Sequence, residues 1–131
     1  MFSYILQRIN YTTIVRVLGW FLLIESLFLI FPAVVSLFFG EYSVMWAFVN
    51  TFIITLTAGC VMSYGFPNRF NDESMRKREA ILITSTVWIV FSAFGMLPFL
   101  FSGVLTSVTD AFFETMSGFT TTGASVLCDV E

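Results

Sequence analysis

The sequence predicts an all-α integral membrane protein, in which three transmembrane helices are followed by a short re-entrant helix and an extended strand. The first observation is composition. Of the 131 residues, 57% are hydrophobic and 11% are charged, against about 45–50% and about 25% in soluble domains. A soluble domain of this size could not bury so much apolar surface. The second observation is that three long apolar stretches precede a last stretch, 102–131, which is apolar but interrupted by Ser, Thr and Gly.

The same composition excludes several function classes. The formal net charge is −3, with six Lys or Arg against nine Asp or Glu, so there is no basic face to bind nucleic acid. The sequence contains no His and two Cys, which removes the common zinc, haem and Ser-His-Asp arrangements. Walker A and GxGxxG patterns do not occur either. We therefore expect neither an enzyme nor a cofactor.

Three stretches are long enough to cross a bilayer, which takes about 20 mostly apolar residues in a helix. They are 17–39, 44–64 and 80–101. The loop 40–43 between the first two is so short that they must form an antiparallel hairpin, and Gly65 with Pro67 ends the second. The first stretch exceeds the apolar core of a signal peptide, which runs to about 7–15 residues, so we interpret it as a retained span.

The basic residues predict the orientation of these spans. All six precede the first span or lie between the second and third: Arg8, Arg16, Arg69, Arg76, Lys77 and Arg78. The positive-inside rule places both segments in the cytoplasm, with the N-terminus, and residues 102–131 outside. The run 75–78 is compatible with a docking patch for anionic lipid, but topology alone accounts for it.

The stretch after the third span indicates a segment that enters the membrane and returns. Ser107 and Asp110 form the pattern of a capping box, so we expect a helix of about two turns that ends at Gly118. The three β-branched residues 120–122 favour an extended strand. Non-helical backbone at membrane depth is tolerated where it is buried in protein or lines a water-filled cavity. The negative end of the helix and the strand carbonyls would both suit a cation.

Three acidic residues have alternative interpretations. Asp110 and Glu114 share one helical face, and they either belong to the capped start of the helix or attract cations to an outer vestibule. Glu25 is the one acid inside a span. It is either a structural residue, with Thr55 as its neighbour across the hairpin, or a proton-coupling site. Small and polar residues recur every four positions in the second span, which predicts close helix packing there: Thr51, Thr55, Gly59 and Ser63.

Residues 110–124, with the sequence DAFFETMSGFTTTGA, resemble the pore segment of Trk-type potassium uptake proteins, the superfamily of Trk, Ktr and HKT members. The hairpin and the turn at 99–103 are similar to that family too, so the resemblance covers nearly the whole chain. In the family, four membrane–pore–membrane repeats of one polypeptide surround one ion path, and each gives one filter strand with a single Gly. The resemblance thus implies potassium transport across the cytoplasmic (inner) membrane.

The resemblance assigns the ion filter to five residues, with Gly123 as the filter glycine: Thr120, Thr121, Thr122, Gly123 and Ala124. It implies a pore helix that begins at Asp110. The chain lacks the Tyr and the second Gly of the Thr-Val-Gly-Tyr-Gly pattern of potassium channels, which suggests a looser filter. A Ser in place of the glycine goes with sodium transport in plant relatives, so Gly123 favours potassium.

The resemblance divides the chain into an N-terminal transmembrane hairpin at 1–66, a basic cytoplasmic loop at 67–79 and an incomplete first repeat at 80–131. Because one quarter of a filter cannot enclose a pore, we expect the sequence to be a fragment. The alternative is a non-conducting, three-span accessory or scaffold protein in contact with lipid. The resemblance further implies a homodimer that works with a cytosolic nucleotide-binding regulatory subunit.

Overall fold

The computed structural model describes residues 11–66 and 77–127, and within these ranges it contains five helices and no strand. The helices are α1 (Tyr11–Phe38), α2 (Tyr42–Tyr64), α3 (Lys77–Gly95), α4 (Leu97–Ser102) and α5 (Val108–Phe119). Three segments are long and apolar enough to cross a membrane: Tyr11–Phe38, Tyr42–Tyr64 and Ala80–Ser102. The predicted all-α membrane fold is therefore confirmed. Most of the basic loop and the residues 128–131 lie outside the described residues.

Helices α1 and α2 form the predicted antiparallel hairpin. Gly40 reverses the chain with a left-handed φ of 74°, a conformation that glycine adopts without steric strain. The face of α2 that packs against its neighbours carries the predicted stripe of small and polar residues, all of them buried: Ala47, Thr51, Thr55, Gly59 and Ser63. Residues of this size let the two backbones approach closely.

Glycines mark the closest approach of the two helices. A Cβ atom on Gly19 would lie 2.6 Å from the backbone nitrogen of Ser63, and one on Gly59 would lie 3.1 Å from the backbone nitrogen of Leu23. These contacts define the antiparallel register of the hairpin, in which Gly19 lies opposite Ser63 and Leu23 lies opposite Gly59. The hairpin is thus held by backbone-to-backbone packing as well as by side chains.

The third span is broken near its C-terminal end, which the sequence did not predict. Helix α3 ends at Gly95 and α4 begins at Leu97, with Pro98 in the first turn of α4. Proline has no N–H to donate to the carbonyl four residues earlier, and its ring clashes with that carbonyl. The third span is therefore interrupted at Met96 and continues as a short helix, which ends at Gly103 with a left-handed φ of 75°.

Large apolar side chains cover the outside of the helices. Phe28, Phe31, Phe38 and Phe39 are 74–85% exposed, and the inward positions are taken by Leu22 and by Ser and Thr residues. This inverted pattern is stable where the surroundings are hydrocarbon, because lipid solvates the aromatic rings and small polar residues promote packing between helices. In the third span Ser92 is fully buried, whereas Ser85 is exposed.

Candidate functional site: the re-entrant helix and the segment that follows it

Helix α5 begins as the capping pattern predicts. The Ser107 side chain accepts a hydrogen bond from the backbone nitrogen of Asp110 at 3.4 Å, and Asp110 lies in the first turn. An acidic residue there is stabilised by the positive end of the helix dipole. With 12 residues, α5 is about 18 Å long, so it can reach about halfway through a hydrocarbon core of about 30 Å.

One face of α5 packs against α3, and this contact sets the depth of the helix. The Ser92 hydroxyl lies 3.3 Å from the sulfur of Met116, and the rings of Phe91 and Phe119 are 5.7 Å apart. At Gly95 the approach is closest, since a Cβ atom there would lie 2.7 Å from the Cγ2 atom of Thr115. Glycine at position 95 is thus required for α5 to lie against α3.

Helix α5 continues past Gly118, so the predicted end at that glycine is wrong. It ends at Phe119 in a Schellman motif, because the backbone N–H of Thr121 donates to Gly118 O at 3.2 Å and that of Thr122 donates to Ser117 O at 3.0 Å. The residue in the left-handed position of this motif is Thr121, with φ of 55°. A β-branched residue in this region is strained, and such strain often accompanies functional sites.

The segment after α5 is not a β-strand, which corrects the predicted extended conformation. Among residues 120–124, φ is positive at Thr121 (55°) and Gly123 (73°), and it is −81° at Thr120. Alternation between right- and left-handed backbone turns successive N–H groups to one side. β-strand geometry would alternate them instead. An extended strand was predicted because β-branching favours it, but the helix cap imposes its own backbone geometry.

The backbone N–H groups and the backbone carbonyl groups of this segment differ in their hydrogen bonding. The N–H groups of Thr120, Thr121 and Thr122 all donate to carbonyls at the end of α5. Within the described part of the chain, by contrast, no hydrogen bond ends on the carbonyl oxygens of residues 120–124. Residues 120–126 are also exposed in this chain alone. These carbonyl oxygens are therefore available to coordinate a cation.

Two of the threonine hydroxyls stabilise the turn. The Thr120 hydroxyl donates to Met116 O at 2.7 Å, and the Thr120 and Thr122 hydroxyl oxygens are 2.9 Å apart. Because the single hydrogen of Thr120 is used for Met116, Thr122 is the donor in the second bond. This pairing fixes the side chains while their backbone carbonyls remain without donors.

The two acidic residues of α5 have different surroundings. Both oxygens of Glu114 accept from the Ser125 hydroxyl, at 2.9 and 3.1 Å, and Oε2 also accepts from the backbone N–H of Val126 at 2.9 Å. None of the hydrogen bonds of the described residues involves the Asp110 carboxylate. The sequence did not predict the contact of Glu114 with residues 125–126, because no periodic pattern relates positions eleven and twelve apart across a chain reversal.

Glu25 lies on α1, one of the two helices of the hairpin, on the side that borders α3 and α5. Its side chain is 5% exposed, and within the described residues neither carboxyl oxygen has a hydrogen-bond partner. The Thr55 hydroxyl is likewise buried without a partner, so the expected neighbours do not hydrogen-bond to each other. Glu25 instead borders a cavity of about 220 Å³ together with Gly95, Thr115 and Phe119.

The geometry as a whole is suited to a dehydrated cation. The C-terminal end of α5 carries the negative end of its helix dipole, and the carbonyl oxygens of residues 120–124 follow directly. Rings of backbone carbonyls replace the hydration shell of potassium in ion filters. In this chain the carbonyls of residues 120–124 accept no hydrogen bond within the described residues, and they follow directly after α5.

Potassium uptake proteins are similar to this chain in sequence. No family model matches the chain. The Trk system potassium uptake protein TrkH of Halomonas elongata is 40% identical over 120 residues, which are 90% of this chain and 24% of that protein. TrkH of Escherichia coli (strain K12) is 35% identical over 123 residues, 93% of this chain and 25% of that protein.

A solved structure shares the fold as well as the sequence. The crystal structure of the potassium transporter TrkH from Vibrio parahaemolyticus superposes with a TM-score of 0.81 at 34% identity, and the match covers 91% of this chain and 25% of that one. The chain spans about a quarter of the length of the relatives it matches. Over that quarter, the chain is homologous to the TrkH potassium uptake proteins.

Proposed function

We propose that this chain is part of a potassium uptake protein and contributes one quarter of its carbonyl-lined selectivity filter. The filter residues are Thr120, Thr121, Thr122, Gly123 and Ala124. The observation that carries the proposal is the row of carbonyls in residues 120–124, which accept no hydrogen bonds in the described part of the chain and follow the negative end of α5. The potassium transport named for the homologous proteins supports the choice of ion.

The mechanism is permeation without covalent chemistry. A potassium ion loses water at the outer mouth, is coordinated by carbonyls from four equivalent segments and moves inward down its electrochemical gradient. The membrane potential supplies about 2.3 kcal/mol per elementary charge per 100 mV. Asp110 in the first turn of α5 and Glu114 one turn further along the helix raise the local concentration of cations at the mouth.

We also propose the surroundings of this segment in the full-length protein. Residues 1–66 form the hairpin, 67–79 a cytoplasmic basic loop and 80–131 the first part of a pore repeat in the inner membrane. The full-length protein is a homodimer with a cytosolic nucleotide-binding subunit. A cysteine in place of Glu41 is expected to react with an impermeant maleimide added outside the cell, whereas one in place of Ser74 is not. The reverse pattern would refute this orientation.

The experiment that tests the function uses the full-length gene that contains this segment. Expressed in a strain deficient in potassium uptake, it is expected to restore growth at low external potassium, with uptake of a potassium tracer. Gly123→Arg places a bulky cation in the filter and is expected to abolish uptake while the amount of protein in the membrane stays the same. Intact uptake in this variant would refute the filter assignment, and absence of uptake in the wild type would refute the function.

A further inference from the structure

We propose that Glu114 is a positioning residue for the filter: its carboxylate fixes residues 125–126 to α5 and thereby sets the spacing of the filter carbonyls. The inference rests on the proposed function, but it concerns the ion selectivity of the filter and not the attraction of cations to its mouth. Attraction of cations to the mouth depends only on charge. Positioning depends on hydrogen bonds with particular partners, and it determines which ion the filter selects.

The contact of Glu114 with the segment after the filter is extensive. The Ser125 hydroxyl is 2.9 and 3.1 Å from the two carboxylate oxygens, and the Val126 backbone nitrogen is 2.9 Å from Oε2. The Leu127 backbone nitrogen donates in turn to the Ser125 oxygen at 3.1 Å. Three successive residues are thus connected to a single side chain of α5, directly or through one hydroxyl.

The other end of the filter segment is fixed to the same helix. The backbone N–H groups of residues 120–122 donate to Met116, Gly118 and Ser117. Glu114 lies two residues before the first of these acceptors. Helix α5 therefore holds the filter segment at both ends, and between the two attachments residues 123 and 124 have only their own backbone conformation to determine where the carbonyls point.

A carboxylate is the appropriate group for this position. Hydrogen bonds to an ionised acceptor are about twice as strong as those between neutral groups, and two oxygens can serve two donors at once. A glutamine could accept with its oxygen only, because its nitrogen is a donor. Asp110 provides an internal comparison, since it carries the same charge one turn earlier, and none of the hydrogen bonds of the described residues involves its carboxylate.

The test compares variants of the two acids in the full-length protein, reconstituted in vesicles, with the potassium-to-sodium permeability ratio as the main measurement. Asp110→Asn and Glu114→Gln each remove one charge, so both are expected to lower uptake at low external potassium. Only the Glu114 variants are expected to lower the permeability ratio, with a larger effect for Glu114→Ala than for Glu114→Gln. For Glu114→Ala we expect a decrease of about tenfold, which corresponds to roughly 1.4 kcal/mol.

Ser125→Ala keeps the charge of Glu114 and removes one hydrogen-bond donor, so it covers the case in which Glu114→Ala does not fold. It is expected to lower the ratio by itself, and the effects of Ser125→Ala and Glu114→Gln are expected to be less than additive, because the two residues share one contact. An unchanged ratio in both would overturn the proposal while wild-type uptake remained. Absence of potassium uptake in the wild type would instead refute the proposed function.

Discussion

Thr121 occupies the left-handed backbone position that glycine usually supplies at the end of a helix. With φ of 55° it carries strain of about 1–2 kcal/mol, which is retained because the backbone N–H groups of residues 121 and 122 both donate to the last turn of α5. A threonine at this position restricts the backbone more than a glycine would. The second residue of the proposed filter segment thus has a backbone geometry that is imposed by the helix cap.

The strain at Thr121 predicts opposite changes in stability when residue 121 or residue 122 is replaced by glycine. Thr121→Gly is expected to stabilise the protein by about 1 kcal/mol, because the left-handed conformation carries no penalty for glycine. Thr122→Gly is the matched control, and it is expected to destabilise by at least about 0.5–1 kcal/mol, because φ is not left-handed there and the bond to Thr120 is lost. Thermal denaturation in detergent measures both, and a lower melting temperature for Thr121→Gly would contradict the strain.

At this scale the sequence predicted the Ser107 cap, but it placed the end of α5 at Gly118 rather than at Phe119. The preference of glycine for helix ends pointed to Gly118. The helix continues for one more residue because the ring of Phe119 packs against Phe91, 5.7 Å away, and tertiary contact outweighs such a local preference. The bond between Glu114 and Ser125 could not be predicted either, since it depends on where the chain returns.

The helices of this protein pack through glycine contacts at two interfaces. In the hairpin, Gly19 lies against the backbone of α2 at Ser63, and between α3 and α5, Gly95 lies against Thr115. A Cβ atom added at Gly19 would meet backbone atoms, whereas one added at Gly95 would meet the methyl group of the Thr115 side chain. A new methyl group should therefore be harder to accommodate at Gly19 than at Gly95.

Gly19→Ala is expected to separate α1 from α2 and to destabilise the protein by about 1–3 kcal/mol, the usual range for overpacking. Its Cβ atom would lie 2.6 Å from Ser63 N. Thr57→Val is the control on the same hairpin, because Thr57 is exposed and hydrogen-bonds only to its own helix. It is expected to change stability by less than about 0.5 kcal/mol. Equal melting temperatures for the two variants would show that the helices are not in close contact.

Gly95→Ala is expected to displace α5 and to lower potassium uptake, because the new Cβ atom would lie 2.7 Å from Thr115 Cγ2. Thr115→Ser removes that methyl group and keeps the hydroxyl that donates to Ala111 O at 2.8 Å. The double variant is therefore expected to recover uptake that Gly95→Ala alone loses. If Thr115→Ser brings no recovery, the Thr115 methyl group is not the main obstacle, since the Phe119 Cε2 atom would still lie 3.0 Å from the new Cβ atom.

At the scale of elements, the sequence predicted the three spans, the hairpin and the buried stripe on α2, because each depends on a regular pattern along one helix. It did not predict the break at Met96, where the effect of Pro98 depends on how the chain turns towards α5. Nor did it predict that Glu25 borders the cavity beside Thr115. Contacts between distant segments leave no periodic signal in a single sequence.

As a single chain, the molecule leaves many of its residues exposed. Large apolar residues are exposed on its outer surface, and residues 120–126 are exposed too. The chain spans about a quarter of the TrkH proteins it resembles. The filter proposal accounts for both facts, because one row of carbonyls needs three more to coordinate a dehydrated ion. Hydropathy and basic residues predict the membrane topology from sequence.

The most direct test of the filter compares two glycines that share a backbone conformation. Gly123 and Gly103 have φ of 73° and 75°, and a Cβ atom on either would contact nothing within 4 Å. Gly123→Ala and Gly103→Ala therefore introduce similar strain, about 1–2 kcal/mol. In the full-length protein we expect only Gly123→Ala to lower the potassium-to-sodium permeability ratio, with Gly103→Ala affecting stability alone. An unchanged ratio in Gly123→Ala, or an equal decrease in both, would contradict the assignment of the filter.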